Sequence, residues 1–241
     1  MNYEWSIYSD KGAREKNEDN ATVIEINGNI AAILCDGLGG HGNGEIASAE
    51  AVKTIEDCFR ICPEVTEENV CAIMEAANQN VLELQTAGMH MRTTVVALFL
   101  SDEKCFVAHA GDSRLYALGS WKVLYKTMDH SVTQMAAMVG AIKEKNMGTD
   151  ENRNRVLKSL GNADTKVVVR ELPISSNKIK SFLLCSDGFW EHFTEKEIMY
   201  YFHVSKGNAE QFLQNMVCKI QSEMTEHQDN YTAIGLRKRR K

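Results

Sequence analysis

Short apolar runs bounded by turn residues recur along the chain, and they predict a fold rich in strands. Runs such as IAAILC, VVALFL and SFLLC have the length of a buried strand and are too short for a typical helix. We predict strands at residues 22–26, 30–35, 93–100, 104–110, 114–119, 121–126, 165–172, 180–185 and 231–236.

Four of these predicted strands follow one another between residues 93 and 126, with only a few residues between them. Gaps as short as residues 101–103 favour hairpins, because a parallel crossover needs about ten or more residues. We therefore expect these strands to pair in antiparallel fashion.

Helical periodicity is present at residues 44–61, 67–86 and 207–222, where apolar residues recur at spacings of three and four. Blocks of antiparallel strands separated by blocks of helices predict an α+β layered domain. The helix faces expected to be buried carry Ile46, Ala49, Ile55 and Phe59 in the first segment, Val70, Ile73, Ala77, Val81 and Leu84 in the second, and Ala209, Leu213, Met216 and Ile220 in the third.

Two segments stand apart from this pattern. Residues 128–156 have weak apolar periodicity and a polar run, KEKNMGTDENRNR, which inside a compact domain is typical of a lid or binding loop. Residues 237–241 are five basic residues in a row, which favours a solvated tail over a contact with an acidic partner or nucleic acid. No Pro-rich or Ser/Gly-rich linker is present, so we predict a single domain over residues 1–236.

Composition and net charge argue against some classes of protein. The 241 residues are 44% hydrophobic and 25% charged, as in ordinary globular proteins. The formal net charge of −6 argues against a general nucleic-acid binder, because such binding depends on excess Lys and Arg. Seven scattered cysteines without a CxxC pair favour a reducing compartment over a disulfide framework. No signal peptide or membrane-spanning run is readable, so we expect a cytoplasmic protein.

A glycine-rich loop, DGLGGHG at residues 36–42, follows one predicted strand and precedes a predicted helix. It satisfies the GxGxxG pattern of dinucleotide sites. That interpretation is disfavoured because no second parallel strand follows the helix, and because the Asp36 charge would face a bound pyrophosphate. The P-loop pattern GxxxxGK[ST] is absent from the sequence.

Aspartates recur next to predicted strands, and a single one would be interpreted as a turn former or a helix cap. Several in one domain favour a shared site, because strand ends of layered sheets can converge at one edge. Converging carboxylates need cations, and oxygen ligands favour Mg²⁺ or Mn²⁺ over Zn²⁺. The aspartates concerned are Asp19, Asp36, Asp112, Asp187 and Asp229.

These aspartates belong to five of eight motifs that, in chain order, together resemble the metal-dependent PPM (PP2C-type) protein serine/threonine phosphatases, in particular their bacterial members. The motifs span nearly the whole chain in the order of the family, which makes the resemblance specific. They are Arg14-Glu-Lys-Asn17-Glu18-Asp19, Asp36-Gly37-Leu-Gly-Gly, Arg92-Thr93-Thr94, Ala110-Gly111-Asp112-Ser113-Arg114, Asp129-His130-Ser131, Leu160-Gly161, Ser186-Asp187-Gly188 and Asp229-Asn230-Tyr-Thr.

The resemblance implies a four-layer α-β-β-α sandwich of two packed antiparallel sheets, with residues 128–156 as a mobile flap. It also implies two Mn²⁺ or Mg²⁺ ions at one edge, and a third, weaker site. In the family pattern Asp36 bridges the two ions, the Gly37 carbonyl completes one site, and Asp187 and Asp229 complete the other. Glu18 and Asp19 act close by, the latter partly through water, and Asp112 joins Asp187 at the third site.

The implied chemistry is attack on phosphorus by water bound to both ions, without a covalent phosphoenzyme. Arg14 is the candidate for clamping the phosphoryl group, since a guanidinium can bind two oxygens at once. Leu38 stands where many eukaryotic members carry a histidine proposed as the general acid, and leucine cannot donate a proton. His41 is a less favoured replacement, and His130 is interpreted as structural or as part of the flap.

We therefore expect an enzyme that hydrolyses phosphoserine and phosphothreonine on proteins, acting as a monomer and opposing a serine/threonine kinase. A pseudophosphatase that binds phosphoproteins without turnover is disfavoured, because every expected metal carboxylate is present. A two-metal nuclease or phosphodiesterase is disfavoured by Arg14, which suits the three free oxygens of a monoester. Leu38 leaves activity on phosphotyrosine open, because that leaving group depends less on an acid.

Overall fold

The computed structural model describes residues 3–38, 43–86, 90–174 and 178–239. The helices among them are α1 Gly44–Ile61, α2 Glu67–Glu83, α3 Val132–Met138, α4 Asp187–Trp190, α5 Glu195–Val204 and α6 Ala209–Glu223, with a 3-10 helix at Glu144–Thr149. The strands are β1 Tyr3–Asp10, β2 Asp19–Ile26, β3 Asn29–Leu38, β4 Arg92–Thr93, β5 Val95–Leu100, β6 Cys105–Ala110, β7 Arg114–Leu118, β8 Val123–Lys126, β9 Val168–Glu171, β10 Ser181–Cys185 and β11 Tyr231–Lys238.

The strands form two sheets, and every pairing in them is antiparallel. The first sheet has the order β2-β3-β5-β6-β9, with the short β4 beside β3. The second sheet has the order β1-β11-β10-β7-β8.

Three hydrophobic clusters show that the sheets pack face to face between two helical layers. In the central cluster, Ile30 and Leu98 of the first sheet share a core with Phe182 and Leu236 of the second. The opposite face of the first sheet packs on α1 and α2, and that of the second sheet on α5 and α6. The predicted four-layer α-β-β-α sandwich is confirmed.

The apolar run of β3 follows from this layering. Alternate side chains of a strand point to opposite faces of its sheet. Accordingly, Ile30 and Leu34 enter the central core, whereas Ile33 and Cys35 face α1 and α2. A strand buried on both faces is apolar throughout, which is why periodicity alone does not reveal its two sides.

The predicted positions of the helices agree with the structure better than the predicted buried faces do. α1 has the predicted bounds, α2 ends three residues before the predicted position 86, and α6 buries all four predicted residues. On α1 the predicted face is partly wrong, because Ile46 is 43% exposed and Ala49 is exposed, whereas Ala47 and Ala51 are buried. Leu84, the last residue predicted for the buried face of the second helix, lies just after α2 and is also exposed.

The hairpin prediction is wrong at one gap. β5 and β6 pair with each other, as do β7 and β8. Between β6 and β7, however, the chain crosses at residues 111–113 from the first sheet to the second. A short gap therefore marks a change of sheet here, and it brings Asp112 to the edge that both sheets share.

The basic tail begins later than predicted. β11 continues through Arg237 and Lys238, which pair with Glu4 and Tyr3 of β1. Arg237 is only 6% exposed, and its guanidinium donates a hydrogen bond to the carbonyl oxygen of Phe202 at 2.8 Å. The predicted boundary after residue 236 is corrected accordingly, and positions 240 and 241 lie outside the described residues.

No helix in the described part of the chain combines the length and the apolar character that a bilayer crossing requires.

Candidate functional site

The predicted aspartates lie at one edge of the sandwich, where strands of both sheets begin or end. β2 begins at Asp19, which is the register partner of Asp36 near the end of β3. Asp112 lies at the crossing between the sheets, Asp187 follows β10, and Asp229 precedes β11. We call these five residues the carboxylate cluster.

A cavity of about 870 Å³ opens at this edge. Asp19 does not line it but is buried, and its carboxylate accepts a hydrogen bond from the Ser186 hydroxyl at 2.8 Å. The predicted site residues that line the cavity are Arg14, Glu18, Asp36, Gly37, Asp112, Asp187 and Asp229.

Two threonines fix the backbone of Asp36. The Thr93 hydroxyl and the Thr94 N–H both donate to the Asp36 carbonyl oxygen at 2.8 Å, and the Asp36 N–H donates to the Thr94 hydroxyl at 3.0 Å. The Thr94 hydroxyl also lies 2.8 Å from that of Ser113. The Arg-Thr-Thr motif therefore ties Asp36 to the loop that carries Asp112.

Close backbone approach explains the glycine after Asp36. A Cβ added to Gly37 would lie 2.3 Å from the carbonyl group of Gly44, the first residue of α1, so no other residue fits. The Gly37 N–H donates to the Glu18 carbonyl oxygen at 3.1 Å. The glycine is therefore required by the packing of the Asp36 loop against the start of α1.

The Asp229-Asn230 pair holds the loop that carries Arg14. The Asn230 side chain accepts a hydrogen bond from the Glu18 N–H at 2.8 Å and donates to the carbonyl oxygens of Lys11 and Lys16 at 2.9 Å. A Cβ on Gly188 would lie 2.2 Å from the Asn230 carbonyl oxygen. The Asp187-Gly188 turn is therefore packed directly against Asp229-Asn230.

Arg14 reaches the carboxylate cluster through Asp229. Its Nε donates to Oδ1 of Asp229 at 2.9 Å, and its Nη2 donates to Oδ2 at 2.7 Å. The two side chains are 54% and 37% exposed. The predicted phosphoryl clamp and a predicted metal ligand are thus in direct, bidentate contact.

Arg114 and Asp129 form a buried ion pair behind the cluster. Arg114 donates to both carboxylate oxygens of Asp129, at 2.8 and 2.7 Å, and its guanidinium carbon lies 3.3 Å from the centre of the Trp190 ring. Trp190 in turn donates from Nε1 to the Asp112 carbonyl oxygen at 2.9 Å. These motif residues position the Asp112 loop and do not line its cavity.

Burial and then mutual repulsion raise the pKa values of four aspartates of the cluster. Burial is the largest cause for Asp36 and Asp112, whose pKa values lie well above the ordinary value, and repulsion by Asp19 and Asp187, respectively, adds to it. Burial also raises the pKa of Asp19 to about 7 and that of Asp187 to about 6. Such shifts mark negative charges without enough positive charge nearby.

The cluster fits divalent cations in its chemistry. Its donors are all oxygen, Oδ1 of Asp19 is buried with no hydrogen-bond partner, and added cations would offset the repulsion. Within the described residues, no group of three or more His, Cys, Asp or Glu side chains is already arranged to hold a metal ion. Both carboxylate oxygens of Asp229 accept hydrogen bonds from Arg14, so this side chain would rearrange to hold an ion.

Several residues of the cavity were not predicted from the sequence. His90 and Arg92 line it beside Leu38, and Arg92 is the register partner of Leu38 in the β3–β4 pairing. Asn154 and Val156 also line it, which brings the predicted flap segment to the site. Two signals existed: the flap is an irregular polar segment inside a compact domain, and Arg92 belongs to the Arg-Thr-Thr motif, whereas no motif includes His90.

Glu191 is a further unpredicted acidic residue near the cluster. Burial, and then repulsion by Asp187, raises the pKa of Glu191 to about 8. Its carboxylate lies 3.7 Å from Nε of Arg153 in the flap segment. The residue follows α4 directly, so its position depended on a helix that the sequence did not predict.

The two other histidines considered above have different outcomes. His130 stacks on His109 with ring centres 4.8 Å apart, and its Nδ1 accepts a hydrogen bond from the Gly111 N–H at 3.3 Å. Burial and the neighbouring His109 lower the pKa of His130 to about 4. These contacts favour the structural interpretation of His130. His41 lies outside the described residues.

A protein-family model and a curated relative match most of this chain. The protein-family model described as protein phosphatase 2C matches residues 9–228. The serine/threonine phosphatase stp of Listeria monocytogenes is 30% identical over 200 residues, which cover 79% of this chain and 79% of that protein.

Solved structures match over nearly the whole chain. The serine/threonine phosphatase Stp1 from Staphylococcus aureus gives a TM-score of 0.86 at 24% identity, covering 98% of this chain and 95% of that one. The catalytic domain of the phosphatase PstP in complex with 2 manganese ions gives 0.79 at 20% identity, covering 98% of each chain. At these identities the likeness shows the fold alone.

Proposed function

This chain belongs to the protein phosphatase 2C family, and from that premise we propose that it hydrolyses phosphoserine and phosphothreonine on proteins with the help of divalent cations. The observation that carries the proposal is the carboxylate cluster, which gathers acidic side chains of both sheets at the edge of an open cavity. Burial there, and then mutual repulsion, raises the pKa values of Asp36 and Asp112. The name of the Listeria relative supports the choice of phosphoserine and phosphothreonine.

We assign the cations to Asp36, the Gly37 carbonyl, Asp187 and Asp229, with Asp19 next to them and Asp112 with Asp187 as a third, weaker position. Hard oxygen donors of this kind suit Mg²⁺ or Mn²⁺. When bound, such ions lower the pKa of a water molecule and neutralise the charge that develops on a phosphoryl group. The protein's own part is to hold these oxygens at fixed strand ends.

Arg14 binds the phosphoryl group in this proposal. Its guanidinium fork, which holds both oxygens of Asp229, also matches two oxygens of a phosphate monoester. Because 54% of the side chain is exposed at the cavity, it can exchange Asp229 for the substrate without disturbing the core. Asp229 is then released to face the cations.

Protonation of the leaving group needs a donor other than Leu38. His90 lines the same cavity as Leu38 and Asp36. Histidine is the side chain that most readily gives and takes a proton near neutral pH, whereas Arg14 and Arg92 keep their protons. We assign the general-acid role to His90, which reaches the cavity from the segment before β4.

The substrate class is tested by comparing matched phosphopeptides. With Mn²⁺ or Mg²⁺ present, we expect turnover of phosphoserine and phosphothreonine peptides and no cleavage of a phosphodiester such as bis(p-nitrophenyl) phosphate. Preferred cleavage of the diester would replace the proposal with a two-metal phosphodiesterase. Binding of the phosphopeptides without turnover at any cation concentration would replace it with a phosphoprotein-binding module.

The partners that follow from this function are phosphoproteins, together with the serine/threonine kinase that phosphorylates them. The cavity is open to solvent and lined by both basic and acidic side chains, including Arg14, Lys16 and Glu15. A site of this kind accepts a phosphorylated side chain presented by a polypeptide. We propose that a single copy of the chain suffices, since every assigned residue comes from one chain.

A further inference from the structure

A second cavity, of about 370 Å³, lies at the opposite end of the second sheet. β10 starts beside Lys180 at this cavity and ends at Cys185, before Asp187. β11 runs the other way, from beyond Asp229 to Lys238 at the cavity. A strand of five residues is about 16 Å long, so a phosphoryl group at the carboxylate cluster does not reach this cavity.

Basic and aromatic side chains line this second cavity. None of the described residues lining it is acidic, although the whole chain has a formal net charge of −6. The lining is therefore a local concentration of positive charge on an acidic protein. The basic and aromatic side chains that line it are Trp121, Lys180, Phe202, His203, Lys206, Arg237 and Lys238.

The floor of the cavity is built and fixed. The Arg237 guanidinium is buried, donates to the Phe202 carbonyl oxygen and the Ser205 hydroxyl, and lies 4.1 Å from the centre of the Phe202 ring. The Lys238 N–H donates to the Lys180 carbonyl oxygen at 3.0 Å, which holds these two strand ends side by side. The cations are thus presented by rigid elements.

A stacked aromatic pair forms one wall. The rings of Trp121 and His203 are 5.4 Å apart at an interplanar angle of 25°. The His203 nitrogens lie 2.6 Å from the Met199 carbonyl oxygen and 2.7 Å from that of Ser120, so the ring is clamped from both sides. Trp121 is nevertheless 86% exposed, so its other face is open to solvent.

Lys206 occupies an unusual backbone position at the cavity. Its φ is 50°, in the left-handed region that favours glycine, and Gly207 follows with a φ of 98°. Among the described residues the Lys206 ammonium has no ion-pair partner. Cations near the C-terminus of α5 stabilise the helix dipole, which explains the positions of His203 and Lys206. The dipole does not explain the lysines at the ends of β10 and β11 or the exposed Trp121.

We propose that this cavity binds a nucleoside polyphosphate. Several cations around one concave space match a phosphate chain, and the open face of Trp121 offers a stacking platform for a base. The volume lies within the range of small-ligand sites. The site is separate from the carboxylate cluster, so this proposal does not depend on the proposed phosphatase activity.

The test is a titration of ADP into the full chain in EDTA, followed by calorimetry and by quenching of tryptophan fluorescence. Without divalent cations the carboxylate cluster repels anions, so it does not compete with the second cavity for ADP. We expect saturable binding that weakens with added salt. Pyrophosphate, which has no base, is expected to bind about tenfold more weakly than ADP.

Two variants locate the binding. Lys206→Gly removes the ammonium and suits the left-handed backbone, so it should fold normally and weaken ADP binding about tenfold. Trp121→Ala should weaken it by a similar factor while leaving pyrophosphate binding unchanged. Lys196→Ala, which removes the same charge from the exposed start of α5, is the matched control and should change nothing.

Three results would overturn the proposal. They are an absence of saturable ADP binding, equal affinities for ADP and pyrophosphate, and ADP binding that both variants leave unchanged. A further arm uses vesicles containing phosphatidylglycerol. Vesicle binding that depends on Lys206 and Trp121, without ADP binding, would assign the surface to anionic lipid instead.

Discussion

At the scale of single residues, the proposed chemistry depends on the contact between Arg14 and Asp229. Nε and Nη2 of Arg14 donate to the two carboxylate oxygens of Asp229, so the guanidinium already binds two oxygens at once at the cluster. A monoester offers the same arrangement of two oxygens. In the proposed function, Arg14 therefore couples the binding of substrate to the release of Asp229.

Replacing Arg14 tests this role. We expect Arg14→Ala to lower kcat/KM on a phosphothreonine peptide about 10- to 100-fold, because charge-assisted hydrogen bonds contribute about 1.5–3 kcal/mol. Arg14→Lys should recover only part of the loss, since an ammonium does not form the planar fork. Arg60→Ala, which removes an exposed arginine on α1, is the control in the same steady-state assay. Full activity in Arg14→Ala would contradict the assignment.

His90 is tested by varying the leaving group. If it donates the proton, His90→Ala should slow hydrolysis of a phosphoserine peptide by about 10²-fold or more, because general-acid catalysis contributes about 10²–10⁴-fold. The same variant should change the hydrolysis of p-nitrophenyl phosphate little, because nitrophenolate leaves without an acid. The measurement is kcat for both substrates. Equal losses on both would assign His90 to binding or packing.

Sequence reasoning located the acidic residues because each stands next to a recognisable strand. It did not find the pairing of Arg14 with Asp229, since those residues are 215 positions apart and their contact depends on β1 and β11 lying side by side. His90 was missed for another reason. It belongs to no motif and interrupts no periodic pattern, so only the fold shows that it lines the cavity beside Arg92.

At the scale of elements, the buried pair of Arg114 and Asp129 joins the start of β7 to the segment after β8. Asp129→Asn would leave the Arg114 charge buried without its partner, which costs about 3–5 kcal/mol. We expect a matching fall in the free energy of unfolding, measured by urea denaturation. Glu56→Gln breaks an exposed pair with Arg60 and should cost about 0.5 kcal/mol or less. Similar losses in both variants would contradict the assigned role.

Elements were predictable where burial imposed a clear pattern. β1 was missed because it is an edge strand without a fully buried residue, and its signal is limited to a short alternation of Tyr3, Trp5 and Ile7 with polar residues. α5 is ten residues long and buries only Ile198, Met199 and Phe202, too few for a periodicity to stand out. The wrong hairpin at residues 111–113 has a different cause, because loop length does not tell a turn within a sheet from a step between sheets.

At the scale of the whole molecule, the two sheets bring distant parts of the chain to one edge. The core between them is closed on both outer sides by helices, so polar chemistry is left to the strand ends. One end gathers carboxylates and the opposite end of the second sheet gathers cations. Antiparallel strands contribute one terminus to either end, and the residues at those termini give the two ends different charges.

The central claim is that divalent cations held by the carboxylate cluster are required for phosphatase activity. The most direct measurement is turnover of a phosphothreonine peptide in EDTA and after adding back Mn²⁺ or Mg²⁺, for the unmodified protein, Asp36→Asn and the exposed control Asp57→Asn. We predict that EDTA abolishes turnover and that either cation restores it, except in Asp36→Asn. In EDTA that variant should unfold at a temperature no lower than the unmodified protein, because burial and neighbouring carboxylates hold the pKa of Asp36 well above its ordinary value. Turnover that persists in EDTA, or in Asp36→Asn, would contradict the account.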